Sequence, residues 1–97
     1  MHNSQYYINL LRQFKAQFAT KYGIRSIGIF GSVARNEQRS DSDLDVFVDI
    51  EEPDYFILCD LKDALQELFK CKIDLVRMRQ GMETLLHQNI LRDGIYA

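Results

Sequence analysis

Residues 43–50 read Asp-Leu-Asp-Val-Phe-Val-Asp-Ile. Leu44, Val46, Val48 and Ile50 alternate onto one face, the period of a strand covered on one side. No other segment of the chain reads so clearly as a strand, and the neighbouring elements take their places around it. Upstream, residues 33–42 are polar and turn-rich, with Asn36 and the run Ser40-Asp41-Ser42. Before them, residues 25–30 read as a short strand that Gly31-Ser32 ends. Residues 5–21 carry Tyr7, Leu11, Phe14 and Phe18 at steps of three or four, flanked by Ile8 and Leu10. That spacing predicts an amphipathic helix, with Ser4 as its N-cap and Gly23 as its stop.

Downstream, Pro53 breaks the strand pattern and Asp54 can cap the next helix. Leu58, Leu61, Leu65 and Leu68, with Ala64 and Phe69 beside them, predict that helix over 55–70. Residues 72–77 form a third strand, Gly81 punctuates, and Met82, Leu85, Leu86, Asn89 and Ile90 predict a helix over 82–93. The order α-β-loop-β-α-β-α implies an α+β domain with helices packed on a small three-stranded sheet. At 97 residues this is one domain, spanning 1–97, with no repeat or linker.

Composition bounds the function. A hydrophobic share of 46% and a charged share of 27% are those of a soluble globular protein. The net charge of −2 and the lack of a basic stripe give no ground for direct nucleic-acid binding. No apolar run reaches the roughly 18 residues needed to span a membrane. The polar start Met1-His2-Asn3-Ser4-Gln5 is not a signal peptide, which points to the cytoplasm. Cys59 and Cys71 fit that compartment as a pair of buried thiols, with a disulfide between them as the other reading, and no Cys-x-x-Cys marks a zinc site. His2 and His87 match no ligand spacing and read as surface residues.

Three features carry chemistry. Gly31-Ser32 lies at a strand end, where glycine permits a sharp bend and close approach of a ligand. If a helical turn begins there, the free N–H groups of Ser32, Val33 and Ala34 make an anion site and the Ser32 hydroxyl adds a donor. Asp43 and Asp45 are two apart on a strand, so their carboxylates project from the same face. Like charges held that close call for a cation between them, and a hard divalent ion such as Mg²⁺ suits oxygen ligands. Asp74 lies in a neighbouring strand, between Ile73 and Leu75, where a charge needs a partner: the aspartate cluster, or a salt bridge to Lys72 or an arginine. Together the three could clamp two metal ions roughly 3.5–4 Å apart, facing a phosphate-binding turn. The chemistry is then in-line attack on an α-phosphate, which asks mainly for positioning and charge neutralisation.

Gly31-Ser32, ten residues, then Asp43-x-Asp45 resembles the signature of the DNA-polymerase-β-like nucleotidyltransferases. The string GSVARNEQRSDSDLDVFV, with the third aspartate in KIDLV and the ending ILRDGIYA, is similar to the minimal nucleotidyltransferase branch. The resemblance implies that fold, with a small mixed sheet. It further implies that Gly31, Ser32 and Arg35 hold the nucleotide's phosphates, that Asp43, Asp45 and Asp74 hold Mg²⁺, and that Asp74 can accept the acceptor's proton. Apart from the resemblance, Arg35 reads as a solvated turn residue or a partner of Asp41 or Asp43. Asn36 stands where the family pattern has glycine, and Asn tolerates the left-handed conformation that such a turn needs.

The branch is one of antitoxins paired with helical HEPN-domain toxins. Its mechanism transfers AMP from ATP to a tyrosine hydroxyl of the toxin. A binding module that blocks its partner sterically, or an enzyme that modifies a small molecule, are the other readings; the aspartate set favours the enzyme, and the lack of a second domain disfavours the small molecule. Arg77 and Arg79 follow the third strand as a solvated strand end, or approach a triphosphate or an acidic partner. Tyr6, Tyr7, Phe14 and Phe18 serve the core or a partner interface, and Tyr96 either docks on the core or frays.

Overall fold

The structure, a computed structural model, describes residues 3–37, 39, 43–52, 54–78 and 84–97, with only the backbone for residues 84 and 86. The turn at Ser40-Asp41-Ser42, the break at Pro53, and His2, Arg79, Gly81 and Met82 lie outside these residues. Helix α1 (Ser4–Tyr22) leads into β1 (Ile24–Phe30), a one-turn helix α2 (Gly31–Ala34) and β2 (Leu44–Ile50). Then come α3 (Tyr55–Phe69), β3 (Ile73–Arg77), α4 (Thr84–Asp93) and β4 (Ile95–Tyr96).

The strands form one sheet in the order β3-β2-β1-β4. Strand β2 runs antiparallel to β1 and parallel to β3, so the sheet is mixed as expected. Parallel neighbours need a crossover, and α3 supplies it, running back along the sheet between them. Among the described residues the sheet has four strands rather than three. Strand β4 is only two residues long, pairing Tyr96 with Gly28 and Ile95 with Ile29, too short to show a period in the sequence. Tyr96 therefore docks rather than frays: it pairs at the sheet edge, and its ring, still half exposed, meets the core residue Phe47 edge-on at 5.0 Å.

The helix ends show where local chemistry decides. Asn3, not Ser4, is the N-cap of α1, its side chain accepting from the Tyr6 N–H at 3.1 Å. The helix stops at Gly23, as expected. Asp54 caps α3 by accepting from the N–H groups of Phe56 and Ile57.

One face of the sheet carries the main core. Leu44, Val46, Val48 and Ile50 of β2 are buried there with Ile27 and Ile29 of β1 and Ile73 of β3. Ile8, Leu11 and Phe14 of α1 and Leu61 and Leu65 of α3 cover them. Tyr7 and Phe18 pack partly buried against this core, so most of the α1 aromatics serve packing. The opposite face holds a smaller cluster of Phe30, Phe47 and Ile90, the last from α4. Phe47 is fully buried because Gly28 lies beside it: a Cβ on Gly28 would stand 2.5 Å from the ring. On α4 the anticipated apolar stripe divides, since Ile90 is buried while Leu85 is exposed. Cys59, Cys71 and His87 are half-buried, so the thiols are less enclosed and the imidazole less exposed than expected; both thiols are free.

Candidate active site

The site lies on the smaller-core face, at the end of the sheet where β1 stops and β2 starts. The register pairs Phe30 with Asp45 across β1 and β2, and Asp45 with Asp74 across β2 and β3. Directly paired residues project from the same face, so the parallel ladder sets Asp45 and Asp74 side by side. Asp43 precedes β2 by one residue, and the Leu44 N–H donates to the Lys72 carbonyl at 3.0 Å to anchor that strand end.

Asp45 feels both neighbours. Its carboxyl is pushed up to about 6, first by burial, then by the charges of Asp74 and Asp43 and a hydrogen bond shared with Asp74. Arg35 acts on it in the opposite sense. Asp43 and Asp74, which the sequence singled out with Asp45, are thus both within electrostatic reach of it. Asp74 is exposed rather than buried, and among the described residues it lies beside Asp45 in the ladder with no ion pair to a lysine or arginine. Among the described residues, no three Asp, Glu, His or Cys side chains are gathered tightly enough to form a ready metal cage. Carboxylates without a cation between them repel, which opposes tighter gathering.

The donor set still fits a hard divalent cation. The strand register pairs Asp45 with Asp74, and Asp43 lies two residues before Asp45, so the oxygens available are all carboxylate oxygens. Gly31 bounds the same space from the other side. Its φ is +73°, left-handed, and a Cβ there would run into the Asp45 carboxylate. Glycine is required at this position by conformation and by space, and the required space lies between the turn and the aspartate.

After Gly31 the chain coils once as α2. Arg35 N–H returns to Gly31 O at 3.2 Å and Glu37 N–H to Ser32 O at 2.8 Å. First-turn N–H groups have no partner within their own helix, so the start of α2 leaves those of Ser32 and Val33 without one there. Asn36 is left-handed at φ +58°, as its place in the turn suggested. Its Oδ1 also accepts from the Ser4 N–H at 2.7 Å, tying the turn to the start of α1. A glycine would supply the conformation but not that tie.

Asp41 lies outside the described residues, and Arg35 makes no ion pair with Asp43. Its guanidinium donates to Glu37 at 3.1 Å and to Asp93 at 2.8 Å. Asp93, at the end of α4, has a side chain only 9% exposed and also accepts from Arg92 at 3.0 Å. Hydrogen bonds from Arg92 and then Arg35 hold the Asp93 carboxyl below its usual range. Asp93 was missed as a site residue because 58 positions separate it from Arg35, beyond any local spacing. The adjacent charges Arg92-Asp93 before Gly94 were the available signal.

A strand-end glycine turn facing paired strand aspartates defines a phosphate-transferring class of site. Residues 12–96 match the family described as Polymerase beta, Nucleotidyltransferase. A Methanocaldococcus jannaschii relative is 40% identical over 90 residues, 92% of each chain. The protein adenylyltransferase MntA of Thermococcus cleftensis is 34% identical over 90 residues, 92% of this chain and 90% of that one. Among solved structures, a minimal nucleotidyltransferase superposes with a TM-score of 0.77 at 33% identity, covering 97% of this chain and 96% of that one. A toxin–antitoxin structure with AMP-PNP shares the fold, with a TM-score of 0.74 at 24% identity over 91% of this chain and 69% of that one. The chain belongs to the polymerase beta nucleotidyltransferase family, in its minimal nucleotidyltransferase branch. It is an enzyme of the nucleotidyltransferase class.

Proposed function

We propose that this chain is a protein adenylyltransferase that moves AMP from ATP to a tyrosine hydroxyl of a HEPN-domain toxin and so acts as its antitoxin. The observation that carries the reading is the Asp45 carboxylate, set beside Asp74 by the strand register and against the Gly31 turn. The Thermococcus cleftensis relative bears the name protein adenylyltransferase. A fold neighbour is a tri-AMPylated Shewanella oneidensis HEPN toxin in complex with an MNT antitoxin, with a TM-score of 0.57.

In this reading Gly31 and Ser32 receive the triphosphate. The glycine lets the backbone come close and the serine donates N–H and hydroxyl. Arg35 stands beside them as a fixed positive charge, oriented by Asp93. Asp43, Asp45 and Asp74 would hold Mg²⁺, which when bound neutralises phosphate charge and favours the ionised acceptor hydroxyl. Asp74 takes the proton of an incoming hydroxyl, a role that its being the most exposed of the three supports. The α-phosphorus–oxygen bond to pyrophosphate breaks as the bond to the acceptor oxygen forms.

The test is isotopic. With the HEPN-domain partner and Mg²⁺, label on the α-phosphate of ATP should appear on the partner, and label on the γ-phosphate should not. Transfer of the γ label instead would make the chain a kinase and refute the reading. A partner that is inhibited but never labelled would make the chain a steric inhibitor.

A further inference from the structure

Away from the aspartates, a groove of about 300 Å³ runs between α3 and the outer edge of β3. Tyr55, Leu58, Cys59 and Lys62 line one side, at steps that put them on one stripe of the helix; Leu75 and Arg77 line the other. Among the described residues, strand β3 lies at the edge of the sheet. Its backbone polarity can be read from its bonds. Lys72 O accepts from Leu44 N–H and Met78 N–H donates to Val48 O, so the even-numbered residues turn their backbone groups toward β2. In a parallel ladder the odd-numbered residues then face outward. Of these, the Ile73 N–H is taken by the Gln66 side chain at 3.4 Å. Leu75 and Arg77 keep outward N–H and C=O groups with no partner among the described residues.

The groove is thus a helix-flanked strand edge with free donors and acceptors on the two strand residues that line it. Such an edge invites pairing, and proteins that leave one bare commonly use it to take up an extended segment. Charge indicates what kind. Lys62 and Arg77 have no ion pair among the described residues, and no acidic side chain lines the groove. At the groove's end Tyr55 and Phe56 stand side by side, each 75% exposed, an aromatic ledge that the core does not use. The same strand carries Asp74, one residue before Leu75.

We propose that this groove takes an extended segment of the acceptor protein, paired to the β3 edge, with apolar and acidic residues alternating at its groove-facing positions. The inference rests on the protein-acceptor reading and adds to it a route by which that protein is held beside Asp74. Pairing uses the backbone of Leu75 and Arg77, the acidic residues meet Lys62 and Arg77, and the apolar ones cover Leu58 and the Tyr55 ring.

The test uses the full chain and a peptide, acetyl-Val-Thr-Glu-Thr-Val-Thr-Glu-Thr-amide, with amide exchange followed residue by residue by NMR. The peptide should slow exchange at Leu75 and Arg77 and leave Asp74 and Val76, whose N–H groups face β2, unchanged. The same peptide with lysine for glutamate should bind about tenfold or more weakly. Lys62→Glu with Arg77→Glu should reverse that preference, and Lys62→Glu alone should reduce it if the double variant does not fold. Unchanged exchange at Leu75 and Arg77, or an unaltered preference in the variants, overturns the proposal. So does protection of these amides in the peptide-free chain that grows with concentration, since a second copy would then occupy the edge. AMP transfer is not read in this experiment, so docking and transfer stand or fall separately.

Discussion

The two faces of the sheet obey different rules although they share the same strands. On the main-core face, Val46, Val48, Ile27 and Ile29 are completely buried and each apolar contact adds to stability. On the other face the same strand β2 carries Asp45, where charge is held at a cost: burial and two neighbouring carboxylates push it up to about 6. One face is built to be stable and the other to be completed by a ligand, so substitutions on the two should move stability and activity in opposite patterns.

The largest effect should come from Asp45→Asn. Transfer should fall more than about a thousandfold, as expected when a charge-neutralising group at a reacting phosphate is lost. The metal-free fold should meanwhile become more stable at neutral pH, on the order of 1 kcal/mol once part exposure of the carboxylate is discounted. Linkage gives the sign. The folded carboxyl titrates near 6 instead of 3.8, so the stability it contributes is full below 3.8 and is lost as pH rises through 6. Thermal melts of the metal-free chain between pH 4 and 8 should show that loss in the wild type and a flatter profile in the variant. Equal slopes would remove the electrostatic contrast between the faces.

Leu61→Ala on the core face should do the reverse. Leu61 is fully buried, so about 2–5 kcal/mol of stability should be lost, read by urea unfolding. Transfer per folded molecule should remain close to wild type.

Next comes Asp93→Asn, which slackens Arg35 without touching the aspartates. Steady-state kinetics should show KM for ATP rising about tenfold with a smaller change in kcat, the pattern of lost ground-state binding. Asp93→Glu should recover part of it. The smallest effect should come from Asn36→Gly, which keeps the left-handed turn but loses the bond from Ser4 N–H. About 0.5–1 kcal/mol of stability should go with it, measured by thermal unfolding.

The same contrast explains what could be read in advance. Stripes such as Leu44-Val46-Val48-Ile50 and Leu58-Leu61-Leu65 declare the core face because burial on one side imposes a period. Gly31, Asp43, Asp45 and Asp74 were legible as well, since unlike chemistry at fixed spacing has few structural uses. Phe47 was not: between Asp45 and Asp49 it looks solvent-facing, and only Gly28 and α4 make room to bury it. Strand β4 was too short for a period, and the Arg35–Asp93 pair joins residues with no local relation. The bare edge of β3 depends on strand order, which no local pattern states.

The most direct measurement is the intact mass of the HEPN-domain partner after incubation with the chain, ATP and Mg²⁺. Wild type should add one AMP unit or a multiple of it, and the Asp43→Ala, Asp45→Ala double variant should add none while melting as a folded protein. Modification by the double variant, or its absence with wild type, would contradict the assignment of nucleotidyl transfer to these aspartates.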